Sequence, residues 1–403
     1  MLSGFKFMSL LAVVLILIFT ACIGTFPAFS KTAEKVSKDS KIVATPYLVP
    51  DLKKAERLLT GSNVGYRVVK SAHSPTVAYW YPTSEKEENF SYILGENRVT
   101  SKLALDGAVS AGKFPLVFYV HGASGSGLSS FFLCEALARN GYVVAAPDFS
   151  DQAFASRIDR PVVDSKENLK NIWAFINSLV ESGLNKEAAS GRKKYAYRPK
   201  QLLAAIKSTI AMDSEKESFL FSHLETDKIG LVGHSMGAWT ALLVAGAAPE
   251  YRSPVPVAAT VALSGPSNPF VFKVASKNDL ALIKSPLLFQ YGENEKLFPD
   301  REDRRYNYER ASSSRPRVLA CIANCNHFDF SCGSGKSFGI ASDYIRKSGQ
   351  RLCLTGLTLD FLNLFMGNRQ EGQKIPRTLL VKSPGIVRLD SNLSEVLKTG
   401  ENR

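Results

Sequence analysis

Five consecutive residues, Gly233-His234-Ser235-Met236-Gly237, place a serine between two glycines. They follow the apolar run Lys228-Ile-Gly-Leu-Val232 directly and precede the helical run Ala238-Trp-Thr-Ala-Leu-Leu243. A strand-to-helix corner this tight leaves no room for side chains at the flanking positions, hence Gly233 and Gly237, and it lifts the serine hydroxyl onto the open edge of a sheet. The chemistry that follows is nucleophilic attack by Ser235, provided that a neighbouring base takes its proton. On corners of this kind the partners come in the chain order serine, acid, histidine. The chain has five histidines, His73, His121, His223, His234 and His327, and only His327 lies beyond Ser235. It is the candidate base.

The acid must hold the imidazole tautomer and stabilise its cationic form. The expected strand Pro286 to Tyr291 runs into Gly292-Glu293-Asn294-Glu295, which makes Glu295 the candidate, with Asp300 and Glu293 as fallbacks. A developing oxyanion needs two backbone N–H donors, expected from Met236 and from Ala123, just past His121-Gly122. The glycine-rich stretch from His121 to Gly127 lacks the Lys-Ser/Thr ending of a phosphate loop and the spacing of a dinucleotide fingerprint. No metal is expected, because beyond Cys321-x3-Cys325 no histidine or second short cysteine pair stands at ligand spacing. Chemistry of this kind needs no organic cofactor.

The elements that must position these residues are short apolar strands alternating with helices. Strands are expected at Tyr66 to Val69, Val77 to Tyr81, Pro115 to Val120, Tyr142 to Ala146, Lys228 to Val232, Val257 to Leu263, Pro286 to Tyr291 and Arg317 to Ile322. Helices are expected around Phe132 to Leu137, Ala238 to Ala247 and Tyr344 to Ser348, then in a final amphipathic segment carrying Leu357, Phe361, Leu364 and Phe365. Strands of this kind separated by helices imply an α/β fold, a mostly parallel sheet covered on both faces. Residues 151–200 form a charged, weakly helical insertion at the usual place for a lid, and a plain surface excursion fits them equally.

The composition, 45% hydrophobic and 22% charged, is that of a globular protein with a well-filled core. A net charge of +13 allows contact with an anionic membrane surface, although the basic residues are scattered as on a solvated surface. The densest run, Arg192-Lys193-Lys194, is too short for a nucleic-acid footprint, so no nucleic-acid partner is expected. The first thirty residues read as an export leader, with Lys6 before the apolar run Leu10 to Thr20. Ala28-Phe29-Ser30 offers a cleavage site, and Phe19-Thr20-Ala21-Cys22 resembles a lipobox. The chain is therefore expected outside the cytoplasm, secreted, periplasmic or held on a membrane as a lipoprotein. Residues 31–60 read as a polar tether, 61–370 as the folded domain and 371–403 as a C-terminal tail. In an oxidising compartment Cys134, Cys321, Cys325, Cys332 and Cys353 can form one or two bridges that brace the loop of His327. The plainer expectation is buried thiols used as small apolar side chains.

With these residues placed, the chain resembles the platelet-activating-factor acetylhydrolase-like and predicted dienelactone hydrolase family of the α/β-hydrolase superfamily. The likeness runs through Trp80-Tyr81-Pro82, Val120-His121-Gly122, Leu137 to Pro147, Tyr197-Arg198-Pro199, Asp227 to Gly237 and Gly292-Glu-Asn-Glu295. It implies an α/β-hydrolase fold and serine esterase or lipase-like activity on short or oxidised acyl esters of phospholipids, or on related small esters. Two positions depart from the pattern. True dienelactone hydrolases carry cysteine where this chain has Ser235. Plasma-type acetylhydrolases carry their acid after the preceding strand, where this chain reads Leu263-Ser264-Gly265-Pro266, and Glu295 is placed more as in bacterial esterases and polyester hydrolases. The competing readings are a cutinase-like polyester hydrolase and a non-catalytic binding protein on a hydrolase scaffold.

Overall fold

The computed structural model describes residues 51–71, 74–94, 97–123, 125–151, 157–158, 195–265, 279–295, 303–314, 316–332, 338–367, 376–380 and 385–393. The expected export leader, most of the expected tether and most of the 151–200 insertion lie outside them. No helix among the described residues is long and apolar enough to cross a membrane.

Helix α1 (Leu52–Leu59) comes first, then β1 (Asn63–Val69), β2 (Val77–Thr83), β3 (Glu88–Leu94), β4 (Asn97–Leu105) and β5 (Phe114–Val120). Helix α2 (Phe131–Arg139), β6 (Val143–Pro147), α3 (Tyr197–Met212), β7 (Leu224–His234) and α4 (Met236–Leu242) follow. After them come β8 (Val257–Leu263), β9 (Leu287–Gly292), α5 (Asp303–Arg310), β10 (Arg317–Ile322), α6 (Asp343–Arg346), α7 (Gly349–Phe365), α8 (Arg377–Leu380) and β11 (Ile386–Ser391). Among the described residues the strands form one sheet in the order β11-β10-β9-β8-β7-β5-β6-β2-β1-β4-β3. From β6 to β10 every neighbouring pair is parallel, and β2 and β11 pair antiparallel at the two flanks.

Alternation along each strand decides which layer a side chain joins, because successive side chains leave a strand on opposite faces. In β5, Val117 and Tyr119 pack with Phe131, Leu133 and Leu137 of α2, whereas Leu116, Phe118 and Val120 pack with Leu202 and Ile206 of α3. In β9, Leu288 faces the side of α7 and Phe289 the side of α4. Both faces are therefore covered by helices, as the continuous apolar strands require. Helix α7 is more deeply placed than an amphipathic surface helix: of its residues only Asp360, Asn363 and Phe365 are not buried.

Three boundaries differ from the sequence reading. The expected tether ends in α1, where Asp51 accepts the Lys54 N–H at 3.1 Å and Ala55 and Leu58, one turn apart, are buried in the core. The expected C-terminal tail contains β11, which pairs with β10 from Val318 opposite Ser391 to Ile322 opposite Ile386. It covers the open N–H and C=O groups that β10 would otherwise present as a sheet edge. The insertion ends in the first turn of α3, where Arg198 is buried. A bridged cysteine loop is not found either. Among the described residues there is no disulfide, and Cys134, Cys325 and Cys353 are buried thiols within one apolar cluster. Burial raises the Cys353 thiol to about 11 and Cys332 to about 12, so both stay protonated.

One polar chain crosses the core beneath β1 to β4. Trp80 Nε1 donates to the Tyr92 hydroxyl (2.7 Å), and Tyr92 and Ser101 donate to the Glu135 carboxylate of α2 (2.8 Å each). Burial raises the Glu135 carboxyl to about 7 against the opposing pull of those hydrogen bonds. A carboxyl that is raised on folding stabilises the fold fully below its ordinary value of 4.5 and loses that contribution as pH rises through about 7. Urea unfolding of wild type and Glu135→Gln near pH 5 and near pH 8 should show the variant gaining on the order of 3 kcal/mol relative to wild type at the higher pH. A gap that does not change with pH would contradict this assignment.

Candidate active site

Strands β5, β7, β8, β9 and β10 are consecutive neighbours in the sheet and run in one direction. Their C-terminal ends therefore lie along one edge, where open α/β sheets present their ligand sites. Each end delivers one part: His121-Gly122-Ala123 after β5, Ser235 after β7, Ser264 after β8, Glu295 after β9 and His327 after β10.

Ser235 stands at the corner between β7 and α4 with φ 54° and ψ −123°, a backbone conformation that costs a non-glycine residue about 1–3 kcal/mol. The surroundings hold it there. The Ser235 N–H donates to Leu263 O of β8 at 2.9 Å, and Ser235 O accepts from Ala238 N (2.9 Å) and Trp239 N (3.3 Å). The glycine requirement is steric: a Cβ on Gly237 would sit 1.9 Å from Val120 O, and one on Gly233 would sit 2.3 Å from Gly237 O.

His327 Nε2 lies 3.0 Å from Ser235 Oγ, and His327 Nδ1 lies 2.9 Å from Glu295 Oε2. A carboxylate can only accept, so Nδ1 carries the proton and Nε2 presents a lone pair to the serine hydroxyl. Both partners are buried, with 6% of the His327 side chain and 1% of the Glu295 side chain exposed. In that low-dielectric setting an ion pair formed during reaction is worth far more than in water. The geometry brings together the three residues chosen from the sequence. Of the fallback acids, Glu293 instead accepts the Asn324 N–H at 2.9 Å, and Asp300 lies outside the described residues.

The base is held largely through its backbone. Asn326 and Asp329 cap the short 3-10 turn His327–Phe330 reciprocally, Asn326 Oδ1 accepting from Phe328 N and Asp329 Oδ2 from Asn326 N, each at 2.8 Å. Arg351 of α7 donates to the carbonyls of Asp329 (3.2 Å) and Ser331 (3.1 Å). His234 Nε2 donates to the His327 carbonyl at 3.0 Å. Burial, then the neighbouring His327, lowers His234 to about 3, which keeps it neutral beside the base. The acid turn is fastened to the same loop by Glu293 N to Ile322 O and Asn294 N to Cys325 O, each at 2.8 Å.

Sequence reasoning missed Ser264. It is buried at φ 44°, its hydroxyl donates to Glu295 Oε2, and its Oγ is 3.2 Å from His327 Nδ1. A polar residue just past an apolar strand, on the edge shared with Ser235, is the signal that marks it. His234 and Arg351 carry no comparable signal, because their roles depend on partners about ninety and about twenty residues away in the chain.

The two N–H groups chosen for an oxyanion are in suitable surroundings. Met236 is the first residue of α4, where a helix leaves its N–H without an internal acceptor. Ala123 packs against the cluster that contains Met236, and a Cβ on Gly122 would lie 3.2 Å from Ser235 Cβ. Among the described residues no group of His, Cys, Asp and Glu side chains could hold a metal ion. What the arrangement can do is generate a serine alkoxide equivalent by transfer of the Ser235 proton to His327.

No curated protein matches the chain. The profile of the alpha/beta hydrolase family matches residues 117–335, more than half of the 403 residues, and spans the elements from β5 past His327. With that match and the mostly parallel sheet, the chain belongs to the alpha/beta hydrolase family.

Proposed function

We propose that this hydrolase cleaves carboxylic esters through an acyl-enzyme on Ser235, with a preference for short acyl chains of small esters or phospholipids. The observation that carries the reading is the unbroken chain Ser235 Oγ, His327 Nε2, His327 Nδ1, Glu295 Oε2, with separations of 3.0 and 2.9 Å. In the first half-reaction His327 Nε2 takes the Ser235 proton as Oγ bonds to the ester carbonyl carbon, and the carbonyl oxygen becomes an anion. The N–H groups of Ala123 and Met236 stabilise that anion. Collapse breaks the bond to the alcohol oxygen, which leaves with the proton from His327. Water, deprotonated by the same nitrogen, then attacks the acyl carbon; the bond from that carbon to Ser235 Oγ breaks, the carboxylic acid leaves, and His327 returns the proton to Oγ. Glu295 stabilises the imidazolium in both halves, and Ser264 holds the carboxylate in place. The short-chain preference draws on the resemblance carried by Trp80-Tyr81-Pro82, Tyr197-Arg198-Pro199 and Gly292 to Glu295.

Hydrolysis of p-nitrophenyl esters from acetyl to palmitoyl tests the reading. The acetyl and butyryl esters should turn over fastest. Ser235→Ala and His327→Ala should each lower kcat by roughly a million-fold, and Glu295→Ala by roughly ten-thousand-fold. A folded wild type that hydrolyses none of the series, or a Ser235→Ala variant that retains its rate, would refute it.

Ser264→Ala separates a working hydroxyl from a bystander. Loss of one buried hydrogen bond to a carboxylate should lower kcat about ten-fold with KM little changed. An unchanged kcat would remove Ser264 from the machinery.

A further inference from the structure

The motif Tyr197-Arg198-Pro199 opens α3, far along the chain from the residues placed in the reaction, and the proposed chemistry makes no use of it. Arg198 is nevertheless fully buried. A guanidinium taken out of water is costly unless it is paired, and Asp151 Oδ1 stands 3.3 Å from Arg198 Nε while the Phe149 ring lies 4.4 Å beneath its Cζ. Among the described residues, neither Nε nor Nη1 of Arg198 has a hydrogen-bond acceptor. Its hydrogen bonds to carbonyls run through Nη2, to His121 O at 2.8 Å and Gly122 O at 3.3 Å. The side chain is aimed at the turn after β5, with Asp151 balancing its charge.

A second donor reaches the same turn. His121 Nε2 is 3.1 Å from Phe149 N, and a backbone N–H can only donate, so Nε2 is the acceptor and the proton sits on Nδ1. Nδ1–H then donates to Gly122 O at 2.7 Å, and its 3.2 Å approach to Arg198 Nη2 is a contact between two donors. Burial, then the nearby Arg198, lowers His121 to about 3, so this neutral tautomer holds across the physiological range. Gly125 N adds a third donor to Gly122 O at 3.3 Å, and Asp148 Oδ1 accepts from Gly127 N at 2.6 Å.

The consequence lies in the peptide unit between Gly122 and Ala123. A trans peptide is planar, with its C=O and N–H directed oppositely. Three donors on Gly122 O therefore fix the direction of the Ala123 N–H, away from Arg198, and a cation on the oxygen polarises the unit so that this N–H is a stronger donor. We propose that Arg198 is a positioning residue for the oxyanion, acting with His121 through the Gly122 carbonyl to aim and polarise the Ala123 N–H. The inference rests on the ester-hydrolase reading for what the N–H binds. It also gives the base of the 151–200 insertion a direct link to the reaction, because Asp151 and Tyr197 stand near its two ends and are joined by a 2.5 Å hydrogen bond from the Tyr197 hydroxyl.

The test uses Arg198→Lys and Arg198→Gln in the full chain, with two readouts: kcat and KM on p-nitrophenyl acetate per titrated site, and calorimetric affinity for an alkylboronic acid, which binds as a tetrahedral anion. Removing an oxyanion donor outright costs roughly a hundred-fold or more in kcat, so misaiming one should cost about 10- to 100-fold, with KM nearly unchanged and boronate affinity weakened by a similar factor. A merely structural role would lower the fraction of active sites and leave kcat per site and boronate affinity at wild-type values, and that result overturns the proposal. Should neither variant fold, His121→Gln disturbs the second donor to the same carbonyl: a matching loss in both readouts supports the proposal, and wild-type values in both overturn it. A wild type that turns over no ester yet binds boronate more tightly than the variants sinks the ester reading alone. A wild type that binds no boronate sinks both.

Discussion

Gly237 packs so closely on β5 that a single added carbon would stand 1.9 Å from the Val120 carbonyl oxygen. That contact sets how near the first turn of α4 comes to the end of β5, and so how near Ser235 and Met236 come to Gly122 and Ala123. The corner can hold its positive φ only because β7 is clamped between parallel neighbours, and Ser235 N reaches across to Leu263 O on one of them. Pairing of β8, β9 and β10 along the same edge then brings Ser264, Glu295 and His327 in beside the serine without any of their loops having to travel far.

A division of labour runs through the site. The groups that would meet substrate are few and are reached through short side chains or through the backbone, whereas the groups that hold them are long, buried and charged or aromatic. Arg351 grips the loop of the base by two carbonyls, Arg198 grips the turn of the amide donor by two, and His234 and His121 each hold one carbonyl while burial keeps them neutral. Holding a loop by its carbonyls fixes the direction of the peptide planes and leaves the reacting side chains untouched. The backbone strain at Ser235 and Ser264 is sustained by the same surroundings, since both residues sit at the ends of central strands whose partners are in place on either side.

Much of this was legible in the sequence because the signals are local. A run of five residues after a strand and before a helix marks Ser235, elimination among five histidines marks His327, and a glycine at a strand end points to Glu295. The continuous apolar runs of the parallel strands were readable for the same reason. Strands β3, β4 and β11 were not, since Glu88, Asn89, Asn97, Arg98, Arg388 and Asp390 interrupt the apolar pattern and their strands rely on neighbours for pairing. The roles of Ser264 and Arg198 escaped for a deeper reason. A serine after a strand and an arginine in a charged stretch acquire their roles only from groups that folding brings to them across tens of residues of chain.

The most direct measurement is mass-spectrometric mapping of the protein quenched in acid during turnover of a p-nitrophenyl ester. One acyl adduct is expected, on the peptide that contains Ser235, forming in wild type and not in His327→Ala. An adduct on any other residue, or steady turnover with Ser235 never acylated, would contradict it.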